Sequence, residues 1–180
     1  MVKNKTLKVA IAIFTGLIMI SSILGVLTSN QEEDVKEYKG YEFVLSNYGW
    51  LTYKDNKQIF IISDPDKIKN TTLTPVYVNF NTYDKVYFTI NPEDGAKTAI
   101  SNLYTKLPFP QRNSLACYED FNGCQEMILK TCADADASTL VVYLEQTNQT
   151  ETITFNNNCL SFKGEDLTLL SDKFILDQIL

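Results

Sequence analysis

A mixed α/β fold of the α+β kind, standing behind an N-terminal transmembrane helix, is what this 180-residue sequence predicts. Three observations predict it. Val9–Leu27 reads VAIAIFTGLIMISSILGVL, an unbroken run without a charge. From Gly40 onward, short stretches rich in Tyr, Phe, Ile and Val alternate with polar turns, the signature of strands. Two later segments, Asn91–Leu107 and Asp166–Leu180, carry apolar residues at helical spacing. The expectation is one domain with a mixed, mainly antiparallel sheet, one βαβ-like unit and two packed helices.

The apolar run comes first. A helix rises about 1.5 Å per residue, so ~19 residues span the roughly 30 Å hydrocarbon layer. Lys3, Lys5 and Lys8 precede the run and no acid does, whereas Glu32, Glu33 and Asp34 follow it. Positive charge holds its end in the cytoplasm, so the remainder of the chain is expected outside. The competing reading, a cleaved signal peptide, has an apolar core of about 7–15 residues and a small-x-small cleavage site. This run is longer, Gly25-Val26-Leu27 and Leu27-Thr28-Ser29 each put a leucine at a required small position, and no cysteine is near to accept a lipid. Gly16 and Gly25 also lack the spacing of a dimerising helix. The expected plan is a cytoplasmic tail at 1–8, a signal anchor at 9–27, a linker at 28–39 and an extracytoplasmic domain at 40–180.

Charge and residue usage then exclude whole classes of function. The formal charge is −6, and all 22 acids lie beyond the apolar run. Arg112 is the only arginine. Such a domain repels phosphate backbones, so nucleic acid is excluded as a partner. The chain has no histidine. That removes Ser-His-Asp and Cys-His catalysis and the H-E-x-x-H zinc peptidases. Four cysteines, Cys117, Cys124, Cys132 and Cys159, all lie outside the anchor, as expected of two disulfides in an oxidising compartment. Their gaps are not the close pairs of a zinc ribbon, and no C-x-x-C is present. Three pairings are possible. The favoured one closes the turn-rich Tyr118–Gly123 with Cys117–Cys124 and joins distant segments with Cys132–Cys159.

Taken in order, Tyr41, Phe43 and Leu45 alternate with polar neighbours in a half-buried strand. Asn47-Tyr48-Gly49 turns into Trp50–Tyr53, and Lys54–Lys57 is a hairpin tip before Gln58–Ser63. Asp64–Pro75 reads as a loop, with strands at Val76–Phe80 and Lys85–Ile90. Asn91 as cap, Pro92 at the first position and Glu93 and Asp94 in the first turn open a helix that Pro108 and Pro110 stop. Ser114–Tyr118 reads as a strand, Gln125–Thr131 as either strand or helical turn. Thr139–Leu144 (TLVVYL) is a central strand buried on both faces. Thr152–Phe155 and Cys159–Phe162 flank an asparagine turn, and Asp166–Leu180 is a final amphipathic helix. Strand, helix, strand and crossover between Lys85 and Leu144 make the βαβ-like unit.

Several motifs invite a site. Asn70-Thr71-Thr72 and Asn148-Gln149-Thr150 are N-glycosylation acceptors in expected outer loops, whereas Asn4-Lys5-Thr6 falls on the cytoplasmic side. Asp134-Ala135-Asp136 with Glu145 at the twelfth position counted from Asp134 resembles a calcium loop, but Thr139 stands where glycine is needed and an apolar run follows. Glu119, Asp120 and Glu126 are acids without a distinguishing spacing. Tyr38, Tyr41, Phe43, Tyr48, Trp50 and Tyr53 form a dense aromatic group, read as core with a binding face as the alternative. No catalytic residue, metal ligand or cofactor is expected from these patterns.

The segments YKGYEFVLSNYGW, LTY, QIFIISDP, VYFTINP, CADAD with TLVVYLEQ, and NNCLSFKG together resemble a group of uncharacterised archaeal proteins with a single membrane anchor and a cysteine-containing outer domain. The resemblance spans most of the region beyond the linker and implies a surface-exposed domain with paired cysteines. It implies no activity. The expected function is that of a binding or accessory domain held to the bilayer by Val9–Leu27, with an envelope or membrane protein as partner. The alternative is a cell-surface hydrolase that works without histidine, through carboxylates or a Ser-Lys pair.

Overall fold

The computed structural model describes residues 34–180. The expected tail, the anchor at Val9–Leu27 and the first part of the linker lie outside the described residues. Among the described residues no helix is long and apolar enough to cross a membrane.

The chain first forms an antiparallel meander of β1 (Val35–Tyr38), β2 (Tyr41–Ser46), β3 (Gly49–Lys54) and β4 (Lys57–Ile61). The last residues of the expected linker are therefore a strand, and the domain starts at β1 rather than at Gly40. Two of the turns are two-residue loops with both central residues at positive φ, Lys39-Gly40 and Asp55-Asn56. That geometry matches the right-handed twist of the flanking strands. Gly49 admits no other residue. Its φ is +143°, and a Cβ there would lie 2.4 Å from the Ile61 carbonyl.

Asp64–Pro75 is not the loop expected. Pro65–Asn70 forms a short helix, α1, because the Asp64 side chain caps Asp66 N–H and Pro65 fits the first turn. Lys36 of β1 reaches both Asp64, at 2.6 Å, and Asp66, at 2.9 Å, and ties the meander to α1. The expected strand Val76–Phe80 is also absent. Two of its backbone groups are met by one side chain: Gln178 accepts from Val78 N–H at 3.3 Å and donates to the Val76 carbonyl at 2.6 Å. β-propensity made the segment extended, but the helix opposite took the place of a strand partner.

The second sheet contains β5 (Lys85–Ile90), β6 (Arg112–Cys117), β7 (Ile128–Leu129), β8 (Thr139–Gln146), β9 (Thr152–Asn156) and β10 (Cys159–Gly164), in the order β7-β6-β5-β8-β10-β9. Only β9 is antiparallel to its neighbour. The expected single, mainly antiparallel sheet is thus two sheets, one antiparallel and one mainly parallel. The βαβ unit is present as β5, α2 (Ala96–Lys106) and β6. α2 starts later than expected because the Asn91 side chain caps a turn at Glu93 N–H instead of the helix itself. From β6 the chain returns across β5 to β8 on the face opposite α2. A move in the opposite direction on the opposite face preserves one crossover hand.

The last helix, α3 (Leu167–Ile179), sits between the sheets. Leu170, Phe174 and Ile175 pack with Phe88, Leu144 and Phe162 of the parallel sheet. Leu169 and Leu176 pack with Phe43, Trp50 and Ile61 of the meander. Each such fully buried side chain contributes about 1.5–3 kcal/mol by leaving water. α3 is therefore not amphipathic as expected: it is buried on nearly every side, including at Asp172, Lys173 and Asp177. These polar residues are fully partnered. Asp177 accepts from Lys173 and Lys39, both at 2.7 Å. Asp172 accepts from Ile62 N–H at 3.0 Å, Ser63 N–H at 2.8 Å and Asn102 Nδ2 at 3.3 Å, with Lys106 Nζ at 3.7 Å. The aromatic group of the meander divides: Tyr38, Phe43 and Trp50 are core, whereas Tyr48 and Tyr53 are exposed.

Candidate binding groove on the parallel sheet

The groove follows from strand alternation. Val86, Phe88 and Ile90 of β5, Leu140, Val142 and Leu144 of β8, and Leu160 and Phe162 of β10 all enter the core. Their neighbours Tyr87, Thr89, Tyr143, Glu145, Ser161 and Lys163 must then stand on the other face. The register places Tyr143 between Thr89 and Ser161. Over this face runs the connection from β6 to β8. Tyr118 brings its ring to 4.7 Å from that of Tyr143, centroid to centroid, and Phe121 packs edge-on against Tyr118 at 4.9 Å. A disulfide from Cys132 to Cys159 of β10 pins the connection to the sheet, and Cys117–Cys124 closes its first turn. These are the two pairs favoured from the sequence, and they suit an oxidising compartment. Between connection and sheet lies a groove of about 300 Å³, with Tyr118, Glu119, Thr131, Tyr143, Ser161 and Lys163 on its walls.

Its charges are matched. Lys163 meets Glu145 at 2.6 Å and stands over the Tyr143 ring at 5.1 Å. The Tyr143 hydroxyl donates to the same Glu145 at 3.2 Å. Beside the groove, Lys130 pairs with Asp134 at 2.8 Å and lies 5.4 Å from the Tyr87 ring, which also carries Lys85 at 4.1 Å. Half-burial, reinforced by Asp94, Glu145 and Glu119, pushes the Tyr118 hydroxyl up to about 12, and burial with Glu145 pushes that of Tyr143 up as well. Both groups stay protonated donors at neutral pH. A pKa raised in the folded state stabilises it fully below the unfolded tyrosine value of ~10, and that contribution is lost as pH rises through the folded value. Stability is therefore expected to fall from pH ~10 upward, with the ionisation lost from an ultraviolet absorbance titration on Tyr118→Phe or Tyr143→Phe lying above that pH. Loss of a step at or below pH ~10 in both variants would contradict this arrangement.

The remaining sequence motifs sit as follows. Asn70 is the exposed last residue of α1, and Asn148 is exposed between β8 and β9. Glu119, Asp120 and Glu126 are all exposed, and only Glu119 reaches the groove. The acids of the calcium-like stretch serve turns: Asp134 completes a capping box with Thr131, and Asp136 accepts from Ser138 and Thr139 N–H, both at 2.8 Å. Among the described residues no three metal-ligating side chains converge. The carboxyl ends of β5 and β8, where open α/β sheets place ligands, are bridged by Gln146. It accepts from Gly95 N–H at 2.9 Å and donates to the Glu165 carbonyl at 3.0 Å, and its own N–H meets Asp94 at 3.2 Å. Sequence reasoning missed Tyr118, Tyr143, Glu145 and Lys163 as a set. The available signal was alternation in TLVVYLEQ and CLSFKG, which puts Tyr143, Glu145, Ser161 and Lys163 on one face.

No protein-family model, curated protein or solved structure matches this chain.

Proposed function

We propose that the protein is a membrane-anchored extracytoplasmic binding or accessory domain whose contact surface is the Tyr118–Tyr143 groove. The observation that carries the reading is the groove itself: a tyrosine wall, internally paired charges and a wall pinned by a disulfide, a construction suited to holding a surface in shape. The charge-free run Val9–Leu27 with lysines on one side supports the tether, and the two disulfides support a location outside the cytoplasm. An envelope or membrane protein fits as partner, and the resemblance to anchored archaeal proteins agrees with a surface-exposed domain.

The test is affinity capture of the tagged full-length protein from solubilised membranes, beside the Tyr118→Ala/Tyr143→Ala variant and an exposed-residue control, Glu126→Gln. A partner retained by the wild type and the control and lost from the double variant is expected. Identical captures from all three would remove the groove as the contact surface. Recovery of the protein in the soluble fraction after cell lysis would remove the tether.

A second reading has one observation behind it. Glu151, Glu165 and Asp166 share an open groove at the start of α3, and burial, then Asp166 and Glu165, push the Glu151 carboxyl up. This is the kind of convergence that a hydrolase acting through carboxylates requires. Asp166, however, caps α3 by accepting from Leu169 N–H at 2.9 Å, and no hydrogen bond joins Ser161 to Lys163 among the described residues. The binding reading therefore stands first.

A further inference from the structure

We propose that the groove beside the packed Tyr118–Tyr143 pair takes a neutral saccharide, a ring with one C–H face and a rim of hydroxyls. This rests on the reading of that groove as the contact surface. The argument is one of matching chemistry. The packed Tyr118–Tyr143 pair supplies one aromatic wall that covers apolar C–H surface. Lys163 supplies a donor, Glu119 supplies an acceptor, and the Ser161 hydroxyl supplies both.

Other ligand classes fit less well. An anion would meet Glu119, while the one lysine on the walls is already held by Glu145 at 2.6 Å. A cation would meet that lysine. A wholly apolar ligand would bury the Tyr143–Glu145–Lys163 chain and leave its remaining hydrogen-bonding capacity unpaired, at a cost of about 1–3 kcal/mol per group. A neutral hydroxyl donates to Glu119 and accepts from the Lys163 ammonium without upsetting either charge. The Tyr118 hydroxyl stays protonated at neutral pH and can donate as well, whereas that of Tyr143 already donates to Glu145. The volume, about 300 Å³, lies at the small end of ligand sites. It suits a ring or two of a longer chain, and the groove is open at its rim for the rest.

The test uses the full-length protein in detergent and four probes: maltotriose, cellotriose, chitotriose and, as the charged counterpart, trigalacturonate. Binding is read by calorimetry and by NMR of the tyrosine rings. Saturable binding of at least one neutral trisaccharide is expected, weakened about tenfold, or ~1.4 kcal/mol, by Tyr143→Ala and less by Tyr143→Phe. Tyr53→Ala, exposed on the other sheet, is expected to bind as the wild type does. Equal thermal melting of Tyr143→Phe and wild type keeps the comparison valid if Tyr143→Ala fails to fold. Binding of trigalacturonate alone, no binding of any probe, or binding indifferent to both Tyr143 variants would overturn the proposal. If no probe binds while partner capture still depends on Tyr118 and Tyr143, the saccharide fails and the groove stands. If capture ignores the groove, the reading beneath fails as well.

Discussion

Asp172→Ala is expected to lower the stability of the domain by about 3–5 kcal/mol, measured by urea unfolding of the full-length protein in detergent. That is a large share of the ~5–15 kcal/mol that holds a domain of this size folded. The carboxylate is fully buried in α3, and four groups from two other places converge on it: two backbone N–H groups after β4, and Asn102 and Lys106 of α2. It is thus the joint between meander, α2 and α3. Alanine would leave the Ile62 and Ser63 amides without their acceptor and Lys106, only 15% exposed, without its counter-charge. Burial pushes the Asp172 carboxyl up and the Lys106 ammonium down, so the site does not fully repay the solvation that either charge lost. Asp172→Asn should for that reason cost less, about 1–2 kcal/mol, since its carbonyl can still accept from the two amides. As a control, Asp66→Ala removes an exposed ion pair with Lys36 and is expected to change stability by no more than about 1 kcal/mol. Equal effects of Asp172→Ala and Asp66→Ala would show that the buried network is not the joint described.

The same network shows where sequence reading stops. Leu167, Leu170, Phe174 and Ile175 announced α3 by their spacing, yet Asp172, Lys173 and Asp177 read as a solvated face: Lys173 and Asp177 make a local i,i+4 pair of the kind helix surfaces carry, and the other partners of Asp172 and Asp177 are remote. Ile62, Asn102 and Lys39 lie 70 to 138 positions away in the chain, and no local period reports them. The hairpins were legible for the opposite reason: Asn157-Asn158 sets its turn alone, with both residues at positive φ. Val76–Phe80 shows propensity overruled, since extended backbone needs partners and here one glutamine meets two of its groups. The parallel sheet was half visible, through TLVVYL and the β5-α2-β6 spacing. That the meander forms a second sheet was not, because it depends on α3 lying between the two. For the groove, alternation held the signal for one face of Tyr143, Glu145, Ser161 and Lys163 but was not read that way, whereas Tyr118 joins them only through the path of the connection from β6.

Cys132→Ala/Cys159→Ala is expected to lower stability by about 3–4 kcal/mol and to open the groove. Two separable effects combine. In the unfolded chain the bridge closes a loop between cysteines 27 residues apart, and chain-entropy arguments put that constraint at ~3.5 kcal/mol, against ~2.4 kcal/mol for the seven-residue separation of Cys117–Cys124. In the folded chain the consequence is local. Cys159 is buried at the start of β10, while Cys132 is exposed on the connection that walls the groove. Without the bond, Thr131–Ala133 keep as restraints a capping box, the surface Lys130–Asp134 pair, the Lys130–Tyr87 contact and the Lys130 N–H bond to the Cys117 carbonyl, which hold the segment more weakly than a covalent link. The core beneath is unaffected, because Leu140, Leu160 and Phe162 face the other way. Hydrogen exchange should therefore speed up in residues 118–138 and stay slow in β8 and β10 at temperatures where the variant remains folded. Cys117→Ala/Cys124→Ala should cost less and leave exchange at Thr131–Ala133 unchanged. If both variants loosen the whole sheet alike, the disulfides act on the global fold and not on the groove. If only the Cys132–Cys159 variant frees the connection, that bond is what gives the tyrosine groove its second wall.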